Sequence, residues 1–230
     1  MTEITPAILP KDYDDLKNSI SLVRGTVPLV QIDICDGIFV KNTTWPFNGG
    51  SFDPHFTAIL NEQEGMPFWE DMDFELDLMV SDAIANFDVY TKLSPKQIVF
   101  HAEAVGDLSD FKDFLEGIDP YVRDSIKIGV AFNTTTPIED VAPLVPFVDY
   151  VQVMGIEQVG WQGQDFDERS IDQIKALKEK FPDLLISVDG SVNMETAPEL
   201  VAAGAERLVV GSAIFNSGDI IGTIEELASL

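Results

Sequence analysis

Asp189-Gly190-Ser191 follows the short apolar run Leu185 to Val188, and Gly211-Ser212 follows Leu208 to Val210 in the same way. Upstream, Gly160-Trp161-Gln162-Gly163-Gln164 lies beyond a third run, Tyr150 to Val153. Glycine at a strand end leaves backbone N–H groups free to face an anion, and a following helix N-terminus adds the positive end of its dipole. Three such turns, in a chain that alternates apolar runs with helical spacing, point to one phosphate cradle with the Asp189 carboxylate at its lip.

Working outward, further strand-like runs are Ile4 to Leu9, Leu29 to Ile34, Phe74 to Val80, Gln97 to Phe100 and Ile126 to Phe132, with Arg207 to Val210 the last. Helical spacing over Asp12 to Val23, Ala83 to Leu93, Leu108 to Leu115, Thr134 to Leu144, Asp167 to Lys180, Glu195 to Ala203 and Ile220 to Leu230 fills most of the intervals. The least regular stretch, Ile38 to Glu70, gathers Asn, Gly and Pro with Trp45, Phe47, Phe52, Phe68 and Trp69, and reads as a long loop carrying a short helix near Pro54 to Leu60. Short apolar strands alternating with helices are those of a parallel sheet buried on both faces. Eight such units predict an α/β fold, a (β/α)8 TIM barrel with its site at the C-terminal ends of the strands, and a doubly wound open sheet is the alternative. The expected organisation is a single domain over 1–230 with a long loop insertion at about 43–72.

The 230 residues carry 40 acidic and 14 basic side chains, a formal net charge of −26. That charge disfavours nucleic acid and anionic membranes as partners, and it opposes the approach of an anionic ligand, so local backbone donors must overcome the global field. Its plain reading is solubility or adaptation to salt. No apolar run approaches the ~18 residues of a spanning helix, and no charged segment followed by an apolar one opens the chain. The single cysteine, Cys35, fits a reducing, cytoplasmic setting, and a homo-oligomer is left open.

Strand ends supply Asp33, Asp36, Asp77, His101 with Glu103, Met154 and Asp189. A carboxylate in an apolar strand must be paired, hydrogen-bonded or metal-bound. A lone strand-end Asp is often a helix cap, and a lone His a hydrogen-bonded core residue. Several at separate strand ends of one barrel shift the balance toward chemistry: two carboxylates on opposite faces of a sugar could remove and return a proton, and a divalent ion between them would stabilise an enediolate. Cys35 and Met79 read as core or as a soft lining around reacting carbons, and the loop aromatics as packing, with a lid or interface as the alternative. Lys127 opens its strand, the wrong end for a Schiff base.

At these residues the chain resembles the ribulose-phosphate 3-epimerase family. The resemblance runs nearly end to end, through Ile4-Thr5-Pro6-Ala7-Ile8-Leu9, Gln31-Ile32-Asp33-Ile34-Cys35-Asp36-Gly37-Ile38-Phe39-Val40-Lys41-Asn42, Asp77-Leu78-Met79-Val80, His101-Ala102-Glu103-Ala104, Asp189-Gly190-Ser191-Val192 and Gly211-Ser212-Ala213-Ile214-Phe215. It implies an isomerase of carbohydrate metabolism that interconverts D-ribulose 5-phosphate and D-xylulose 5-phosphate by inverting C3. Asp33 and Asp189 would be the acid and base, and Gly163, Gly190, Ser191, Gly211 and Ser212 would hold the phosphate. Met79, Met154 and His101 would line the substrate. In the family two His and the two Asp hold a divalent metal; here the corresponding set is Gln31, Asp33, Asp77 and Asp189, with neither histidine. Ala7 replaces a serine, Cys35 a methionine and Gln162 a glycine, Val159 looks inserted, and the segment from Asn42 to Asp77 is longer than usual. An all-oxygen set suits Mg²⁺ or Mn²⁺ rather than Zn²⁺. The other solution is a metal-free site with one carboxyl protonated, as in a non-catalytic paralogue that binds a phosphorylated ligand or a protein. The related orotidine-phosphate decarboxylase group has Asp-x-Lys-x-x-Asp on this strand, and the lysine is missing here.

Overall fold

The apolar runs assemble into eight parallel strands: β1 Glu3–Ile8, β2 Leu29–Cys35, β3 Asp73–Met79, β4 Gln97–His101, β5 Lys127–Phe132, β6 Tyr150–Met154, β7 Leu185–Asp189 and β8 Arg207–Val210. They close into a barrel in sequential order, β8 pairing with β1, so the fold is the (β/α)8 barrel and not the open sheet. The computed structural model describes residues 2–48, 51–161 and 163–230; Gln162 of the glycine-rich loop lies outside them.

Side chains alternate across each strand. The outward set, such as Ile32, Ile34, Leu76, Ile98, Ile128 and Val188, is fully buried beneath the helices, where it meets Leu16, Ile20, Phe111, Ile174, Leu177 and Leu200. This main core lies between strands and helices, and it explains why the strands read as apolar.

The inward set is different. It includes Gln31, Asp33, Glu75, Asp77, His101, Gln152, Ser187 and Arg207, all buried. At the N-terminal end the Arg207 guanidinium lies 2.9 Å from Glu75 Oε2, donates to Ser187 Oγ at 3.0 Å and Gln97 Oε1 at 2.5 Å, and stacks 4.3 Å above the Tyr150 ring. Tyr150 Oη donates to the same Glu75 oxygen at 2.8 Å. Room for the Tyr150 ring exists because residue 129 is glycine: a Cβ there would lie 2.3 Å from two ring carbons. A charged plug thus replaces the branched apolar layer usual at this depth.

Helix bounds depart from the periodicity where side chains or prolines compete with the helix. The expected Ala83 to Leu93 helix forms only over Phe87–Thr91, after turns in which Asn86 Nδ2 donates to Asp82 Oδ2 at 2.6 Å. The Thr134 to Leu144 helix is reduced to Ile138–Val141 and a 3-10 segment, Ala142–Phe147, interrupted by Pro143 and Pro146. Two short helices escape the spacing, Pro120–Ser125, capped by Asp119, and Ser212–Phe215 after Gly211. In the insertion, Pro54–Leu60 is helical as expected and a short hairpin, Phe47–Asn48 with Ser51–Phe52, precedes it. Trp45 and Phe56 are buried edge to face, so part of this aromatic loop is packing; Phe52 and Trp69 remain exposed.

Candidate active site

Period-two alternation places residues 31 and 33 of β2, 77 of β3 and 189 of β7 on the inner wall at the C-terminal half of the barrel. Asp33 and Asp77 are register partners on neighbouring strands, and Met154 pairs with Asp189. One oxygen from each of Asp33, Asp77 and Asp189 lies within 4.8 Å of the others. Gln31 Nε2 sits among them, 2.9 Å from Asp33 Oδ1, 3.0 Å from Asp189 Oδ2 and 3.5 Å from Asp77 Oδ2. Asp77 is further held by His101 Nε2 at 2.8 Å and by Gln152 Nε2 at 3.2 Å.

Crowding three carboxylates in a largely buried site disfavours the ionised form. Burial first, then the Asp189 and Asp77 charges, push the Asp33 pKa well above the ordinary carboxylate range. Burial and then Asp77 raise Asp189 to about 7. For His101 burial opposes the charged ring, but the adjacent Asp77 outweighs it and lifts the pKa above the usual imidazole value. Apart from His101, the cluster has no positive side chain paired with its carboxylates among the described residues. Its donors suit a hard cation: three carboxylates converge, and the buried Gln31 Oε1 has no hydrogen-bond partner among the described residues. A half-turn of that amide, which exchanges O for N, presents Oε1 where Nε2 now lies.

Above the cluster opens a cleft at the C-terminal end of the barrel. Asp33 and Asp189 lie at its floor, Ala7, Met79 and Met154 along its side, and Gly160, Gly163, Gly190, Ser191, Gly211 and Ser212 around one wall. Among the described residues this lining contains no lysine or arginine. The three glycine turns thus meet at one place. Gly190 has φ +104°, a left-handed conformation that glycine tolerates, and Gly155 N donates to Asp189 O at 2.6 Å, tying the ends of β6 and β7 together. Gln164 Nε2 donates to the Trp161 carbonyl at 3.0 Å, and Ser191 Oγ donates to the Gln164 carbonyl. Asn42 Nδ2 reaches Gly160 O at 3.0 Å and links the β2 loop to this wall.

Other sequence candidates lie elsewhere. Asp36 turns away from the cluster and accepts from Ile38 N, Phe39 N, Ser81 N and Ser81 Oγ at 2.7–2.9 Å; burial opposes its charge, but these donors hold its pKa below the ordinary value. Glu103 forms no ligand pair with His101: it accepts from Asn133 N at 2.8 Å and from Thr136 Oγ1. His101, expected at the substrate lining, is fully buried against Asp77 and is not among the residues that line the cleft. Cys35 is buried with Met79 and Met154 in the inner apolar cluster, where burial pushes its thiol pKa up. Sequence reasoning missed Gln152, Glu75 and Arg207. The signal was there in β6, where Gln152 interrupts Tyr-Val-Gln-Val-Met, and in β3, where Glu75 and Asp77 interrupt the apolar run at inward positions.

The sequence matches the ribulose-phosphate 3 epimerase family over residues 3–215. It is 29% identical to the ribulose-phosphate 3-epimerase of Bacillus subtilis (strain 168), over 99% of this chain and 98% of that protein. To the ribulose-phosphate 3-epimerase of Eremothecium gossypii it is 30% identical, over 94% of this chain and 87% of that one. Among solved structures, KGPDC from Streptococcus mutans superposes with a TM-score of 0.68 at 12% identity, covering 100% of this chain and 97% of that chain, a likeness of fold. With a match that begins in β1 and runs past the Gly211 turn, the chain belongs to the ribulose-phosphate 3-epimerase family.

Proposed function

We propose that this protein epimerises a phosphorylated ketopentose at C3, interconverting D-ribulose 5-phosphate and D-xylulose 5-phosphate. One observation carries the reading: a single cleft has two carboxylates, Asp33 and Asp189, at its floor and glycine and serine turns at its wall. Asp189, with a pKa near 7, is available as a carboxylate base at neutral pH, and Asp33, whose pKa burial and its neighbours raise well above the ordinary carboxylate range, is its acid partner. Asp189 takes the C3 proton, and the C–H electron pair moves toward the C2 carbonyl to give an enediolate. Asp33 delivers its proton to the opposite face of C3, so the pair begins and ends with one proton between them, and the reverse reaction exchanges their roles.

Asp33, Asp77, Asp189 and the Gln31 carbonyl oxygen would hold a divalent cation, Mg²⁺ or Mn²⁺ by donor type, which when bound supplies positive charge for the enediolate oxygens. Gly163, Gly190, Ser191, Gly211 and Ser212 bind the phosphate through backbone N–H groups and hydroxyls. Met79 and Met154 keep water from the reacting carbons. We treat the whole of 1–230 as one such domain.

A specific observation favours a second reading. Gln31 Nε2 already lies within hydrogen-bond reach of all three carboxylates, which is how a metal-free binding protein would hold the cluster together. Metal analysis of the purified protein, followed by stripping and assay of ribulose 5-phosphate conversion with Mg²⁺, Mn²⁺, Zn²⁺ or none, separates the two. Turnover that depends on Mg²⁺ or Mn²⁺ and falls ~10²–10⁴-fold in Asp33→Asn and Asp189→Asn supports the epimerase. No bound metal and no turnover with any ion supports the binding protein.

A further inference from the structure

We propose that Gln152 is a further ligand of the divalent cation, an oxygen donor that extends the Gln31, Asp33, Asp77 and Asp189 set; this rests on the metal-assisted reading above. Gln152 lies midway along β6, on the inner face between Tyr150 and Met154. It is fully buried. Its Nε2 approaches Asp77 Oδ2 at 3.2 Å, the same oxygen that Gln31 Nε2 approaches at 3.5 Å, so both amides converge on one corner of the carboxylate cluster.

The other end of each amide is the informative one. Gln152 Oε1 and Gln31 Oε1 are both buried and have no hydrogen-bond partner among the described residues. A buried carbonyl without a donor loses its hydration and regains nothing, and two such groups beside three carboxylates add to an excess of acceptors. The donors that reach the cluster are already taken, because Asp77 accepts from His101 and from both amide N–H groups. A hard cation relieves the excess once each amide makes a half-turn, since amide carbonyls are ordinary ligands for such ions and would then complete a set of five protein oxygens. The strand geometry also fits. Ala131 and Ser187, the register partners of Gln152, are small and leave the long amide free to reach inward.

The test is Mn²⁺ binding to the full-length protein, with titration calorimetry for affinity and water-proton relaxation for the number of waters on the ion. Gln152→Leu and Gln152→Met remove the oxygen at similar volume, and far-UV circular dichroism with thermal melting checks that each is folded. The expected result is Mn²⁺ affinity ~10–100-fold weaker in both variants, with one more water on the bound ion than in the wild type. The unbranched Met variant decides the matter by itself if the Leu variant does not fold. Wild-type affinity and an unchanged hydration number in the folded variant overturn the role of Gln152 while leaving the cation reading intact. A wild-type protein that binds no Mn²⁺ overturns both.

Discussion

Gly155→Ala tests whether the ends of β6 and β7 are held as tightly as the catalytic role proposed for Asp189 requires. A Cβ added at Gly155 would lie 2.1 Å from the Gly190 carbonyl oxygen and 3.2 Å from its carbon. The obstacle is backbone, so no rotamer change can relieve it. Reaching the 3.4 Å of ordinary contact requires a shift of about 1.3 Å in the segment that carries Asp189 and the Gly190 turn. Overpacking of this kind costs ~1–3 kcal/mol of stability. Misplacing a catalytic group by ~1 Å lowers turnover ~10²-fold, equivalent to ~2.7 kcal/mol in the barrier. Gly117→Ala is the control, since a Cβ there meets nothing within 4 Å. Thermal melts and epimerase kinetics on both variants should show a folded but destabilised Gly155→Ala with kcat/KM down about a hundredfold, and a Gly117→Ala indistinguishable in rate from the wild type. Turnover of Gly155→Ala within twofold of wild type, with an unchanged melt, would refute the claim that this close approach positions Asp189.

The buried plug, the cluster and the acidic surface each give a further expectation. Arg207→Met strands Glu75 inside the barrel and should cost ~3–5 kcal/mol in urea unfolding, with much of the loss recovered in an Arg207→Met/Glu75→Leu double variant. Folding raises the Asp189 pKa to about 7, so its contribution to stability is complete at low pH and is lost as pH rises through 7. The cation-free wild type should therefore lose stability relative to Asp189→Asn between about pH 4 and pH 7, and equal slopes in melts across that range would contradict the shift. For a phosphorylated substrate meeting a chain of net charge −26, kcat/KM should rise as salt increases from ~10 to ~150 mM and the screening length falls from ~30 to ~8 Å. A steady fall with salt would point instead to a cationic phosphate site.

Much of the fold was legible because the strand faces that meet the helices are uniformly apolar, and glycine turns mark where strands end. The three turns at 160–164, 189–191 and 211–212 do line one cleft, apart from Gln162, which lies outside the described residues. Proline and side-chain competition decided the helix bounds, and these act locally against a periodicity that only averages. Asp36 and Glu103 were indistinguishable from site residues in the sequence, since a carboxylate that holds a turn and one that holds a proton occupy the same kind of position. Only the direction of the side chain separates them, and Asp36 spends its oxygens on four N–H and O–H donors. Arg207 and Glu75 sat unnoticed for the opposite reason. Each is buried, and its partner comes from a strand far away in sequence, which no local window reports.

Gln31, Asp77 and Gln152 are best read as a set, since both amides approach the same Asp77 oxygen. Replacing two imidazoles by an amide and a carboxylate would leave a buried site one negative charge richer, a poor exchange in a dry barrel. His101 answers part of it: its pKa is raised, it lies 2.8 Å from Asp77 with both side chains inaccessible, and the pair approaches neutrality. What is left is Asp33 and Asp189, the two carboxylates that face the cleft, with one proton or one divalent cation to balance them. In the proposed reading a proton on one of them makes an acid–base pair, and an ion held by the cluster would supply the positive charge that turnover needs. The two amides serve both, because the same side chain donates N–H to a carboxylate or, turned over, offers an oxygen to a metal. In the proposed reading, a Gln and Asp donor set in this barrel is therefore compatible with the chemistry of the family, with Gln31 and Gln152 turning together to hold an ion.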